Sequence, residues 1–319
     1  GSWKSNLIFT YRRFDGYDLD KSTIWEEGSQ YDKLDGLLKL TGPLFSIGDL
    51  ELSMNLYDEE QEIIRNEIFK DLTYNKRNNF SARFINNPSQ QSKLTLSAEY
   101  SYYSHLMDQI VLSSGYRVPG QETKNSLYRN ELLFNTGLTD HQLLFGYNYE
   151  HEVNSSDRIS GGERSTDLHS LFAQDEFKLN EVISFVGGIR YDNHSNYGNQ
   201  FSPKIAFMHS PYTNFRVRLN YGSGFRAPSF KELFMDYYNE SVGYRVFGNQ
   251  DLKPELSHSY SLNMEYWSND DWQAKTTFFF NSVKDMIEYS FIEFKDHVTT
   301  YRAKNVQKVK TWGAELEFR

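Results

Sequence analysis

The sequence predicts an all-β protein, a transmembrane antiparallel up-and-down β-barrel with about 14 strands present. Three observations predict it. First, hydrophobicity alternates with a period of two along most of the 319 residues. Second, many alternating runs reach nine residues or more, the length a tilted strand needs to cross a bilayer; strands in soluble sheets average nearer five or six. Third, aromatics make up 16% of the chain, with 23 Tyr and 24 Phe, while only 38% is hydrophobic and mean hydropathy is -0.68. Barrel strands that alternate apolar-out and polar-in between aromatic girdles account for that combination. On composition alone a soluble β-sandwich fits equally; strand length and the Tyr and Trp at strand ends favour the barrel.

In chain order the strands are expected at 5–14, 32–42, 48–58, 76–86, 92–104, 126–137, 141–152, 167–179, 183–193, 201–210, 214–222, 256–268, 271–289 and 305–318. Leu50, Leu52, Met54 and Leu56 alternate with Glu51, Ser53 and Asn55. Leu94, Leu96, Ala98, Tyr100 and Tyr102 repeat the pattern, as do Phe145, Tyr147 and Tyr149, then Phe185, Ile189 and Tyr191. Phe215, Val217, Leu219 and Tyr221 alternate with Arg216, Arg218 and Asn220. Tyr260 to Tyr266, Trp272 to Phe280 and Trp312 to Phe318 complete the series. Tight connections are expected from Gly42 to Gly48, Gly137 to His141, Leu179 to Glu181, Ser210 to Thr213 and Ser268 to Asp271. Long polar loops are expected at 15–31, 59–75, 105–125, 153–166, 223–255 and 290–304. Short and long connections mostly take turns, which matches periplasmic turns and extracellular loops and places the long loops outside the cell.

Other classes fit less well. No apolar run approaches the roughly 18–20 residues of a spanning helix, so a membrane location requires a closed barrel. The absence of cysteine excludes disulfide scaffolds, Fe–S clusters and thiolate zinc sites. A net charge of -9 argues against nucleic acid as a partner. No Ser/His/Asp arrangement, phosphate loop or His-Glu-x-x-His pattern is present, so no enzyme is expected and no cofactor. The opening Gly1-Ser2-Trp3 carries no signal peptide and reads as a mature or truncated start, or a cloning remnant.

Two motifs are more specific. YGSGFRAPSFKELF runs from Tyr221 to Phe234, and GNQDLKPE from Gly248 to Glu255. Together they resemble the C-terminal half of TonB-dependent outer-membrane receptor barrels, of the siderophore, haem and cobalamin subgroup. In that family a strand ends in Gly-Phe-Arg-Ala-Pro-Ser and a Gly-Asn-Pro-Asp-Leu-Lys-Pro-Glu element opens the next. FAQDEFKL from Phe172, GGIRYD from Gly187, FSPK from Phe201 and WGAELE from Trp312 also resemble its strands, as does YRRFDGYD from Tyr11. The resemblance covers nearly the whole chain and is densest over 167–267. One departure is Gln250 where the family usually has Pro.

The resemblance implies a single partial barrel domain over 1–319, part of a larger 22-stranded barrel, with the plug domain absent. It implies a receptor and transporter that binds a metal chelate and imports it with energy transmitted by the TonB complex through a plug. The expected partners are the outer-membrane lipid bilayer, TonB and the chelate, whose metal is cargo; the location is the bacterial outer membrane. A passive porin-type channel is the alternative. The motif residues are Phe225, Arg226, Ala227, Pro228, Ser229, Asp251, Leu252, Pro254 and Glu255. Pro228 fixes φ, and Gly222 and Gly224 permit a sharp turn, which points to a structural role.

For ligand contact the candidates are Tyr237, Tyr238, Tyr244 and Arg245 in loop 223–255, and His105 in loop 105–125. Aromatic and Arg surfaces suit planar or catecholate ligands. Haem receptors of the family often carry a His between the two motifs, and this stretch has none. His194 is a lesser candidate. Arg216 and Arg218 face the lumen, where they attract an anionic chelate or pair with carboxylates. Asp15, Asp18 and Asp20 are a possible calcium cluster without a full EF-hand pattern.

Overall fold

The computed structural model describes residues 2–64, 66–239, 242–268 and 272–319, with the backbone alone at Gln307. Among the described residues there are sixteen strands and one short helix. They are β1 (Lys4–Tyr17), β2 (Gly28–Leu44), β3 (Gly48–Ile64), β4 (Phe69–Ser89), β5 (Ser92–Val111), β6 (Arg117–Leu138), β7 (His141–Ser156), β8 (Glu163–Lys178), β9 (Ile183–His194), β10 (Gly198–Tyr212) and β11 (Phe215–Arg226). Then follow α1 (Phe230–Phe234), β12 (Asp236–Asn239), β13 (Tyr244–Phe247), β14 (Glu255–Ser268), β15 (Trp272–Lys295) and β16 (Val298–Phe318). The fourteen expected long strands are all present. The two extra ones, β12 and β13, lie inside the loop expected at 223–255.

The strands run further than expected, which shortens most of the long loops. The connections are 18–27, 65–68, 112–116, 157–162 and 296–297 where loops of fourteen to twenty-one residues were expected from the polarity. The reason is that polar residues at these upper ends pair across strands and so sustain the ladder. Lys33 Nζ lies 2.7 Å from Glu59, Lys70 pairs with Glu62, and Arg117 pairs with Asp108. The first tight turn also shifts. Gly42 and Pro43 remain in β2 opposite Leu50 and Asp49, and the chain reverses over residues 45–47 with Phe45 at φ 53. The expected Ser268–Asp271 turn lies largely outside the described residues, at 269–271.

The chain divides into two compact units. The first comprises Gly1–Asn86, Thr95–Glu131 and Glu150–Asp167. Here β1 to β4 pair in chain order, each antiparallel to the next. One sheet face is apolar: Leu38, Leu40, Leu52, Met54, Phe80, Ala82 and Ala98 line an open groove on it. Phe80 stacks on Tyr100 at 6.4 Å, and Tyr100 lies 4.6 Å from Tyr128. The other face is polar. Asn75 donates to Glu59 at 3.0 Å, and Arg129 lies 3.0 Å from Glu150.

The second unit comprises Asn87–Leu94, Leu132–Tyr149 and Leu168–Arg319. Its sheet order is β8-β9-β10-β11-β14-β15-β16-β13-β12, antiparallel except where β13 joins β16 in parallel. Again the two faces differ. Phe185, Ile189, Ile205, Leu219, Phe278 and Leu316 are exposed on one face. In water so continuous an apolar surface would drive aggregation, whereas lipid accepts it. The opposite face carries Ser170, Arg190 and Asp192, joined at 2.5–2.9 Å with Asp192 only 2% exposed. On the lipid face aromatic rings form two belts. Trp272 packs on Tyr266 at 5.2 Å and on Phe318 at 5.5 Å. Tyr260 packs on Tyr221 at 5.0 Å and on Phe280 at 6.1 Å. From Trp272 to Phe280 a strand tilted by about 40° rises roughly 20 Å, close to the height of an outer-membrane apolar band.

Candidate functional site

The 227–254 connection of the second unit is built, not loose. Pro228 lacks an N–H and cannot continue the ladder, so β11 ends at Arg226. Ser229 then caps α1 with a capping box: its hydroxyl accepts from the Glu232 N–H at 3.3 Å, and the Glu232 carboxylate accepts from the Ser229 N–H at 2.7 Å. Phe230 and Leu233, three apart on one helix face, are buried.

Arg226 joins four elements. Its two terminal nitrogens donate to the Glu232 oxygens at 3.0 and 3.1 Å, and one donates to Glu255 Oε1 at 2.5 Å. That Glu255 oxygen also accepts from the Ile287 N–H at 2.7 Å. The planar fork of a guanidinium serves two carboxylates at once, which an ammonium does poorly. Burial raises the Glu232 carboxyl, but the hydrogen bonds from Arg226 and Ser229 outweigh it and hold the group below its ordinary range.

The second motif docks on the same place. Asn249 donates to the Ala303 carbonyl at 3.1 Å and accepts from the Asp251 N–H at 3.0 Å. Leu252, 3% exposed, packs with Leu233, Ile287 and Ala303, flanked by Tyr197 and Phe234. Desolvation in this cluster pushes the Tyr197 hydroxyl up to about 12. Asn305 accepts from the Lys253 N–H at 2.8 Å and donates to the Lys253 and Asp285 carbonyls at 2.9 and 2.6 Å. At Gly248 a Cβ would lie 2.5 Å from the Leu233 carbonyl carbon, so only glycine permits the approach.

On this base stands the β12–β13 hairpin. Tyr237 and Tyr244 share one face, their rings edge-to-face at 5.8 Å. Tyr238 and Arg245 face each other on the opposite side. Tyr238 is exposed. Arg245 lies 3.1 Å from Asp236 and 4.4 Å from the Phe247 ring centroid. β13 is held by β16 through Tyr244 opposite Thr299 to Phe247 opposite Arg302.

The structure therefore brings Arg226, Ser229, Leu252 and Glu255 into one knot and the four aromatic and Arg candidates into one hairpin. Phe225 points to the apolar face opposite Leu256, and Asp251 is exposed. His105 differs from expectation: it sits within β5, in the first unit, and its Nδ1 lies 2.8 Å from the Asn75 side chain. His194 is buried at the end of β9 and packs on Tyr197 with the rings tilted, centroids 5.2 Å apart. Arg218 lies 2.8 Å and Arg216 3.8 Å from Glu265, so both share a barrel carboxylate. Asp18 and Asp20 accept from backbone N–H groups of their own loop. Among the described residues no group of three or more His, Asp or Glu side chains is placed to hold a metal ion. Sequence reasoning missed Asn249, Ile287, Ala303 and Asn305 as parts of the knot. The Ser229-x-x-Glu232 spacing was the one available signal of the helix.

A family model described as TonB dependent receptor-like, beta-barrel matches residues 9–319. The chain belongs to the TonB-dependent receptor β-barrel family. Its place is the bacterial outer membrane. Two curated relatives show how far the likeness goes. The iron-regulated outer membrane virulence protein of Vibrio cholerae serotype O1 is 30% identical over 204 residues, 60% of this chain and 31% of the relative. The ferrienterobactin receptor of Escherichia coli K12 is 27% identical over 175 residues, 50% of this chain and 23% of the relative. The matched region thus spans under a third of either relative. Among solved structures, a ferric enterobactin receptor of Pseudomonas aeruginosa in complex with enterobactin superposes with a TM-score of 0.73 at 17% identity, covering 98% of this chain and 55% of that one. That likeness shows the fold. In TonB-dependent receptor terms, β11 and β14 flank the knot and the hairpin projects from it.

Proposed function

We propose that this barrel belongs to a receptor that binds an iron chelate of the catecholate siderophore class and imports it with energy delivered through TonB. The observation that carries the reading is the β12–β13 hairpin. It presents Tyr237 and Tyr244 on one face and Tyr238 and Arg245 on the other, on a base fixed by the Arg226 knot. Rigid aromatic faces and a guanidinium complement the flat rings and negative charge of a ferric tris-catecholate. The name of the ferrienterobactin receptor relative supports the same class. The receptor role is binding and passage, without covalent chemistry.

Growth tests the proposal. The full-length gene is expressed in a host lacking its own catecholate receptors, under iron limitation. Growth is expected on a ferric catecholate and not on haem iron. Replacing Tyr237, Tyr244 and Arg245 by alanine is expected to raise the concentration for half-maximal growth about tenfold or more. Rescue on haem alone, or on no iron source, contradicts the reading.

A further inference from the structure

On the lipid face of the second unit, lysines collect just above the upper aromatic belt. Strand register places them. Phe280 lies opposite Trp312, Ser282 opposite Lys310, and Lys284 opposite Lys308. On the other side of β15, Ser282 lies opposite His258 and Lys284 opposite Leu256. Side chains two apart on a strand share a face. Lys284, Lys308 and Lys310 therefore stand on the same side as Phe278, Phe280 and Trp312. All three lysines are exposed, and Trp312 below them is 78% exposed.

Height matters as much as face. Along β15 the belt residue Phe280 is eight residues from Trp272 at the lower belt, and Lys284 is four residues higher. With the same rise and tilt those four residues add about 10 Å. Lys284 then sits above the hydrocarbon, at the depth of the outer-leaflet headgroups. Lys310 and Lys308 are two and four residues above Trp312 on the adjacent strand.

The charge is not consumed by the protein. Among the described residues none of the three lysines forms an ion pair, whereas Arg190, Arg218 and Arg226 on the opposite face each hold a carboxylate. Further up this face stand Lys304 and, opposite it, Glu288; Arg302 follows, exposed, opposite Ser290. In a chain of net charge -9 this is a local basic cluster. Ammonium groups at headgroup depth, beside aromatic rings, are complementary to lipid phosphate.

We propose that Lys284, Lys308 and Lys310 form a binding site for the phosphate groups of a phosphorylated glycolipid in the outer leaflet. The aromatic belt packs the upper acyl segments while the lysines hold the phosphates. The site lies on the sheet face opposite the knot, so it is independent of chelate choice.

Native mass spectrometry of the receptor purified from outer membranes in detergent, titrated with bisphosphorylated lipid A, tests this. The triple variant K284Q/K308Q/K310Q is expected to bind roughly 100-fold more weakly. The triple arginine variant is expected to retain binding, and K275Q, on the opposite face, to bind as wild type. Dephosphorylated lipid A is expected to bind wild type and triple glutamine variant equally weakly, and inorganic phosphate to bind neither. Heat-modifiable electrophoretic mobility reports whether each variant is folded. Equal binding of lipid A by wild type and folded triple glutamine variant overturns the site. So does equal binding of phosphorylated and dephosphorylated lipid A by wild type, or binding of inorganic phosphate that the glutamines abolish.

Discussion

Leu219→Arg is expected to destabilise the receptor by roughly 2–4 kcal/mol, while the adjacent Asn220→Arg leaves it nearly unchanged. Leu219 sits on the apolar face between Phe207 and Leu262, between the two aromatic belts and two residues below Tyr221 of the upper one. A guanidinium there must leave water for hydrocarbon or drag water in. Asn220, one residue on, points the other way, where its side chain donates to Ser261 at 3.1 Å. An arginine at 220 joins Arg216 and Arg218 on a wet face. Equilibrium urea unfolding in lipid vesicles reads the difference. The contrast between neighbours is the informative part, because a soluble sandwich with its apolar face buried inward would penalise both faces differently. There Leu219→Arg would abolish folding in aqueous buffer, and detergent would not be needed for wild type at all.

Arg226→Ala is expected to release the 227–254 connection without unfolding the barrel strands. Removing the guanidinium leaves Glu232 and Glu255, both largely buried, facing each other with one cation lost. The loss is about 2 kcal/mol once screening around a guanidinium that is nearly half exposed is allowed for. In hydrogen–deuterium exchange that is roughly a 30-fold fall in protection over α1 and the hairpin, with β9 to β11 unaffected. Arg226→Lys should restore only part of it, since one ammonium cannot bridge both carboxylates with the same geometry. The pH dependence has a definite sign. The Glu232 carboxyl in the folded state lies below its ordinary value of 4.5. Its contribution is therefore complete above that value and is lost as pH falls through the lowered one. Protection of α1 should be flat between about pH 5 and 7 and decline only below about 4.5. A decline that begins near pH 6 would assign the effect to a histidine instead.

The barrel strands were legible because alternation survives in most of them, and the apolar face is dictated by the pattern Phe215-Val217-Leu219-Tyr221 as much as by tertiary structure. Strand ends were not. Residues such as Asp108 and Arg117 read as loop polarity, yet they pair with each other and extend β5 and β6. A single-sequence reading sees charge, not the partner that neutralises it. The motif knot was half legible. Arg226 and Glu255 stood out, but Asn305 and Ala303 join it from more than fifty residues away through backbone and amide contacts that leave no local signature. His105 was misplaced along with the loops: it lies within β5, where its Nδ1 meets the Asn75 side chain across the sheet.

The central claim is that one sheet face meets lipid and the other water. The chain has no cysteine, so single cysteines at residues 274–281 of β15 can carry a nitroxide label with no background from these 319 residues. With the receptor in lipid vesicles, collision with oxygen and with a water-soluble nickel complex is measured at each position. Labels at Ala274, Thr276, Phe278 and Phe280 are expected to favour oxygen, and those at Lys275, Thr277, Phe279 and Asn281 the nickel complex, alternating strictly. Uniform nickel access along the strand, or a period near 3.6, would contradict it.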